Sequence, residues 1–462
     1  MATRARLRRD LGTLEAYAAL IGILIGAGIF KVTSQSWALT GPSVILGHLV
    51  LALLVLATSV PYCVFLSTPL GLEPGGEYAH ISRTFGGRGV AFVGAWLKCI
   101  SYIGALAFLA ATFADYLASL APGALAGAQV RTATALFSLV FVYVIHVVGV
   151  RWFGRLQVGM LALLGLSIVV LVVPGLFAVH RDHYRPFFTH GVAGFARALP
   201  PLFFAYAGFE SLAQTAGEVR DSTRRLPRIF LLGIGGTTIV YLLMSVVTFG
   251  VLSGDRLQAS AAPMTEVASA YLPVGAAAFV TLGALMAITT SLNATMLVPS
   301  RLAVVLAGDG LVPGWLGAVS PRTGTPIAAL TLTFAAAALL LAGGQIALGL
   351  NIAVFALVGL YLIHSVALLL LPSMNPALFR SVTVAIPRRV QAAAAAISIV
   401  AMAAIFLLQV KADLGTLATR SIGERFASGS LTAVELSAVW GAVGALLYVV
   451  GRRRAAAGLP EG

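Results

Sequence analysis

The sequence predicts an all-α membrane protein, and three observations predict it. Hydrophobic residues make up 59% of the 462, charged residues only 10%, and the mean hydropathy is +0.97. A soluble domain of this size needs a far more polar surface, so the solvent of this chain is largely lipid. The apolar residues also come in long runs, at 46–56, 160–173 and 328–341 for example. Transmembrane barrel strands alternate apolar and polar residues, so runs of this length mean helices.

A helix needs about 20 apolar residues to cross the hydrocarbon core. On that ruler the chain holds twelve spans. The first, 13–37, follows Arg4, Arg6, Arg8 and Arg9 as a signal peptide would. No small-residue cleavage site follows and the apolar segment runs on past Phe30, so it reads as an uncleaved span. The second is 42–67. The connection 71–88 is punctuated by Gly and Pro and carries Tyr78 and Phe85, which predicts a short interfacial helix on the cytoplasmic side. Spans at 89–116, 132–150, 155–178, 194–217 and 228–253 follow, and 260–272 reads as a short outer helix able to act as a lid. The remaining spans are 275–304, 325–343, 346–371, 389–410 and 433–451, the eleventh containing the Ala-rich run 392–396. No room is left for a soluble domain, so residues 1–462 form one transmembrane unit.

The arginines test this count independently, because cytoplasmic connections of membrane proteins are enriched in them. With the N-terminus inside, the even-numbered connections carry Arg83 and Arg88, then Arg151 and Arg155, then Arg220, Arg224, Arg225 and Arg228. Arg301 and Arg322 come next, followed by Arg380, Arg388 and Arg389, and Arg452, Arg453 and Arg454 close the chain. The outer connections hold only Arg131, Arg181, Arg185, Arg197, Arg256, Lys411, Arg420 and Arg425. One missed helix would scramble this alternation. The pattern predicts a multi-pass inner-membrane protein with both termini cytoplasmic, and it accounts for the basic excess without a nucleic-acid partner. Cys63 and Cys99 both lie in apolar segments, which argues against a structural disulfide.

Two spans are interrupted by glycine in corresponding places. The first reads Gly22-Ile23-Leu24-Ile25-Gly26-Ala27-Gly28-Ile29-Phe30, and the sixth reads Phe203-Phe204-Ala205-Tyr206-Ala207-Gly208-Phe209-Glu210. Small residues alone also mark tight helix packing. As a pair they open the first and second blocks of five spans, and unwound helices in corresponding positions of inverted repeats mark a midplane binding site. A broken helix exposes N–H groups at one end and carbonyls at the other. A zwitterion fits that arrangement, its carboxylate on the N–H groups around Gly26-Ala27-Gly28 and its ammonium on the carbonyls of Phe203, Phe204 and Ala205. Glycine lets a ligand approach the backbone without a Cβ in the way, and Phe204 can close over it.

These residues carry a resemblance. The string Ile25-Gly26-Ala27-Gly28-Ile29-Phe30 resembles the first-helix signature of the amino acid–polyamine–organocation superfamily. So does the string Phe204-Ala205-Tyr206-Ala207-Gly208-Phe209-Glu210-Ser211, followed by Gly217-Glu218-Val219 and by Arg225-Leu226-Pro227-Arg228. A third match is Ser300-Arg301 with Asp309-Gly310-Leu311-Val312-Pro313 and Thr323-Gly324-Thr325-Pro326. The resemblance covers essentially the whole chain. It implies the leucine-transporter-like fold: two inverted five-helix repeats, about 13–178 and 194–371, plus two trailing helices, about 389–451. It also implies a secondary active amino acid permease working by alternating access, not an enzyme, with a proton or sodium as coupling ion and no other cofactor. An amino acid/polyamine exchanger is the alternative, and a membrane-embedded sensor a further one.

Carried onto this chain, the family pattern puts substrate contacts at Ile25, Gly26, Ala27, Gly28, Ile29, Phe203, Phe204, Ala205 and Ala207. Relatives often have Ser where Ala27 stands, so one hydroxyl to the carboxylate is missing here. No acidic side chain evidently faces the pocket, which points to neutral amino acids. Charge within the hydrocarbon is costly and functional by default. Glu210, just past the second break, is expected to organise the broken helix or carry a proton. Lys98 lies about nine residues into its span, on the order of 14 Å deep at the 1.5 Å rise of a helix. Snorkelling to the cytoplasmic face and pairing with a carboxylate or an anionic substrate are both open to it. Lys31 is expected to line an outer vestibule, and His48, His146 and His364 to be packing residues. Thr289, Thr290 and Ser291 could hold a sodium ion with first-span carbonyls, although hydroxyls in membrane helices more often bond back to their own helix. Proton-coupled relatives often carry a lysine in the fifth span at a position near Leu164 or Gly165, and none is present there. The acids in or near spans (Glu15, Asp115, Glu210 and Glu435) show no metal-ligand spacing.

Overall fold

The computed structural model describes residues 12–73, 75–121, 123, 127–148, 150–214, 216 and 219–456. Arg4, Arg6, Arg8 and Arg9, the Gly217-Glu218 pair and the side chains of Arg151, Arg155 and Arg454 lie outside the described residues. The helices run in order as α1 Thr13–Leu24, α2 Thr33–Thr40, α3 Val44–Leu66, α4 Glu77–Phe85, α5 Arg88–Leu120, α6 Ala128–Val148 and α7 Val150–Gly175. After them come α8 Gly191–Phe203, α9 Ser211–Gln214, α10 Ser222–Val251, α11 Gly254–Ala259, α12 Pro263–Tyr271 and α13 Val274–Gly308. The chain ends with α14 Ile327–Ala342, α15 Ile346–Met374, α16 Pro376–Arg380, α17 Arg388–Thr419, α18 Ile422–Ala427 and α19 Ala433–Ala456. No β-strand occurs among the described residues.

Nine apolar helical stretches among the described residues are long enough to cross a membrane, so this is a multi-pass membrane protein. Three features separate that number from the twelve stretches predicted. The stretch Thr13–Leu66 runs continuously through two of them, turning at Gly41, whose φ of 69° few side-chain-bearing residues adopt. The predicted sixth span is split between α8 and the four residues of α9, and the ninth is the shorter α14. The two predicted short helices appear as α4 and α12. Phe137, Leu232, Leu339 and Val400 are exposed on the outer surface, where water would penalise them and lipid does not. One predicted boundary differs most: α17 runs to Thr419 rather than ending near 410. Its extra turns carry polar residues, and Asp413 there accepts from the backbone N–H of Val434 at the start of α19 (3.0 Å).

The buried centre is built from the long helices. α5 packs along both α13 and α15, α3 along α10, and α7 along α13, while α1 is held by α7, α10 and α13. That arrangement surrounds the two places where the helical path is lost.

Candidate functional site

The first break lies at Ile25 and Gly26. α1 ends at Leu24, and the chain resumes through a π-helical turn, Gly28–Val32, before α2. Buried backbone groups must find partners, and here side chains from neighbouring helices supply them. The carbonyl of Gly22 accepts from Thr290 (3.0 Å) and Ser291 (2.8 Å) of α13, and that of Ile23 accepts from Ser291 (3.2 Å). The Gly28 carbonyl accepts from Thr33 (3.1 Å) and the Phe30 carbonyl from Tyr116 of α5 (2.6 Å). The helix that restarts after the break presents first-turn N–H groups with no intrahelical partner.

The second break runs from Phe204 to Glu210, between α8 and α9, through successive tight turns. Pro200 and Pro201 near the end of α8 weaken the ladder by removing two N–H donors. Gly208 takes φ 99°, and its N–H donates to the carboxylate of Glu210 (3.1 Å). Glu210 also accepts from Tyr102 of α5 (2.6 Å) and from Tyr361 of α15. Fully buried, it ties the second break to two other helices.

The two breaks meet backbone to backbone. A methyl added at Gly28 would stand 2.7 Å from the Cβ of Ala205 and closer still to its Cα. The hydroxyl of Tyr241 in α10 lies between them, bonded to the Leu24 carbonyl and to the Ala205 carbonyl, the latter at 2.6 Å. Beside this contact lies a small cavity to which both breaks contribute lining residues.

The cavity gathers only part of the predicted set. Gly26, Ala27, Gly28, Phe204, Ala207 and Ser291 line it. Ile25, Ile29, Phe203 and Ala205 do not, and their side chains are buried in the surrounding core. Phe204 stands edge-on against Phe108, ring centres 5.2 Å apart. The sequence reading missed the wall opposite the breaks, made by Ser101, Tyr102 and Ala105 of α5 with Thr295, Ala353 and Leu357 of α13 and α15. No charged side chain is among the lining residues.

Several sequence expectations are corrected by this geometry. The openings left by Gly26 and Gly28 are filled by the protein itself, Gly26 by the Ser291 side chain and Gly28 by Ala205. The carbonyls of Phe203 and Phe204 already accept from the N–H groups of Tyr206 and Ala207. Of the three hydroxyls on α13, Thr289 bonds back to its own helix at Leu285 (2.7 Å), Thr290 bonds both to its own helix at Ala287 (2.7 Å) and to Gly22 of α1, and Ser291 reaches α1. On α7, Gly165 faces open space, and it is Gln157 that reaches the α1–α13 junction, its amide 3.4 Å from the Ala18 carbonyl and 3.3 Å from that of Thr290.

Lys98 neither snorkels nor faces the cavity. It grips both carboxylate oxygens of Glu77 in α4, at 2.8 and 2.9 Å, and both side chains are buried. Tyr62 of α3 and Gln214 of α9 donate to the same carboxylate, each at 2.8 Å. Glu77 lies in a connection and gave no signal as an intramembrane acid. His364 is 3.0 Å from His80 of α4, and burial, then His364 itself, pushes the His80 imidazole well below its usual pKa. Lys31 pairs with Asp115, which also has Arg131 at 3.5 Å. His48 meets Thr33 (3.0 Å) and His146 the Asn293 carbonyl (2.8 Å), as packing residues do.

A bundle of lipid-facing helices with two broken members meeting beside a small cavity defines a membrane transporter. Comparison with known proteins takes the class further: a family model described as amino acid permease matches residues 11–423, and the chain belongs to that family, within the amino acid–polyamine–organocation superfamily. It is 28% identical to the methylthioribose transporter of Bacillus subtilis, over 71% of this chain and 73% of that one. It is 26% identical to the branched-chain amino acid permease of the same organism, over 70% and 72% respectively. It is also 28% identical to the Asc-type amino acid transporter 1 of Mus musculus, over 82% and 74%.

Proposed function

We propose that this chain is a secondary active carrier of small neutral amino acids that works by alternating access, holding the zwitterion between the two breaks. The observation that carries the reading is the contact of Gly28 with Ala205 beside a cavity lined by both breaks. First-turn N–H groups at Ala27 and Gly28 suit the carboxylate, and carbonyls of the second break suit the ammonium once their local bonds open. The uncharged wall of Ser101, Ala105, Thr295, Ala353 and Leu357 suits a neutral side chain. The name of one relative, the branched-chain amino acid permease, supports a neutral substrate, and that of the Asc-type amino acid transporter supports an amino acid.

The reading includes twelve spans, as two inverted five-helix repeats, about 13–178 and 194–371, with two trailing helices. Helix packing supports it. If α1, α3, α5, α6 and α7 correspond to α8, α10, α13, α14 and α15, then α5 against α15 is the counterpart of α7 against α13, and α1 against α10 that of α3 against α8. Both members of each pair occur. Five crossings is an odd number, so the second repeat starts from the opposite face. The arginine pattern supports an inner membrane with both termini cytoplasmic.

Coupling to an ion and exchange against opposing substrate both fit this reading. Where α1, α7 and α13 meet, the Gly22 and Ala18 carbonyls are met by the side chains of Thr290, Ser291 and Gln157. Uptake and counterflow in proteoliposomes, across a panel of amino acids with imposed proton and sodium gradients, test both readings. Neutral amino acids are expected to exchange. Failure of every amino acid to move refutes the carrier reading, and accumulation driven by an inward gradient of either ion without internal substrate refutes the exchanger.

A further inference from the structure

Away from the cavity, the structure holds a buried charged cluster that substrate binding does not use. Glu77 receives four hydrogen bonds from three helices: two from Lys98 on α5, one from Tyr62 on α3 and one from Gln214 on α9. α9 is the short helix that continues the second break. Its Gln214 amide also points at the Gly75 carbonyl (3.3 Å). Gly76 makes the approach possible. Its φ is 47°, and a Cβ there would stand 3.0 Å from the carboxamide carbon of Gln214 and nearer still to its nitrogen. Backbone, charge and side chain are thus all arranged so that the end of α9 seats on the start of α4.

Resting on the transport reading above, we propose that Glu77 and Gln214 are positioning residues forming a detachable clasp, which sets how readily the second break moves. Lys98 and Tyr62 fix the carboxylate, and the Gln214 amide is the part that lets go. The division follows from the chemistry of the partners. Lys98 and Glu77 are opposite charges out of water, and separating them leaves two buried charges unpaired. The amide is neutral, so its departure costs two hydrogen bonds, one to the Glu77 carboxylate and one to the Gly75 carbonyl, a change of at least about tenfold in an equilibrium. A cycle that must open and close repeatedly can break the second contact and not the first. The clasp touches no substrate, so its loss changes turnover and leaves substrate affinity alone.

The experiment uses the full chain with Cys63 and Cys99 replaced by alanine, both outside the cavity lining, and Ser211→Cys as a reporter on α9. Gln214→Met keeps the side-chain length and removes only the amide. In proteoliposomes the expected result is at least about tenfold faster maleimide labelling of the reporter. Amino acid binding should stay within twofold of the parent, with a change of at least fivefold in maximal exchange rate. Unchanged labelling and exchange rate in a Gln214→Met protein with normal gel-filtration behaviour overturn the clasp. A fall in binding affinity equal to the fall in exchange overturns it also, because Gln214 would then belong to the binding site. If the parent moves no amino acid while labelling still rises tenfold, the transport reading fails and the clasp stands.

Discussion

Replacing Gly28 by alanine asks the most of the two-break arrangement. The new methyl would stand 2.7 Å from the Ala205 Cβ, with the Ala205 Cα closer still, where carbon atoms normally keep about 3.5–4.0 Å apart. Neither atom can be moved by a change of rotamer, so the breaks must part by about 1 Å. Overpacking of a close-packed interior costs about 1–3 kcal/mol, and each 1.4 kcal/mol is tenfold. If that strain falls on the arrangement that holds substrate, kcat/KM for neutral amino acids drops about 5- to 150-fold. Membrane insertion is unaffected, because the spans themselves are unchanged. Uptake of labelled amino acid by proteoliposomes, at matched protein amounts and with a monodisperse gel-filtration profile, measures it. Adding Ala205→Gly removes the Cβ contact and leaves the Cα, so the double variant should recover only part of the loss. A Gly28→Ala protein with kcat/KM within twofold of the parent would refute the reasoning.

Three further outcomes follow from the same geometry. Tyr241→Phe removes the hydroxyl between the Leu24 and Ala205 carbonyls and leaves a buried acceptor unpaired, so thermal unfolding in detergent should show a loss of about 1–3 kcal/mol. Lys98→Met strands the buried Glu77 carboxylate, a loss of about 3–5 kcal/mol, while adding Glu77→Gln should restore most of it; equal Tm values for the single and double variants would contradict this. Phe204→Ala should abolish uptake with insertion intact, and normal uptake would mean that the ring does not cover the substrate.

The breaks were legible because Gly26-Ala27-Gly28 and Ala205, Ala207 and Gly208 place small residues in corresponding positions of two apolar spans, a pairing that points to interrupted helices in inverted repeats. What fills them was not. Tyr241 and Tyr116 sit in apolar helices like any aromatic residue, and only the fold brings their hydroxyls onto carbonyls of the break. Glu77 escaped notice because it lies in a connection, and its burial comes from α4 folding back onto α5. On α7 the sequence pointed to 164 or 165, whereas Gln157 makes the contact. Seven residues are about 10 Å of helix, an offset that depends on how α7 slides along α1 and α13, which no local pattern records.

The touching of Gly28 and Ala205 bears on how substrate choice can change in such a protein. Side chains cannot grow at that junction without forcing the halves apart, so on the proposed reading the backbone there would recognise only what all amino acids share. Discrimination among them would then fall to Ser101, Ala105, Thr295, Ala353 and Leu357, on intact helices. A library confined to those five positions would search substrate preference while leaving the hinge of the machine alone.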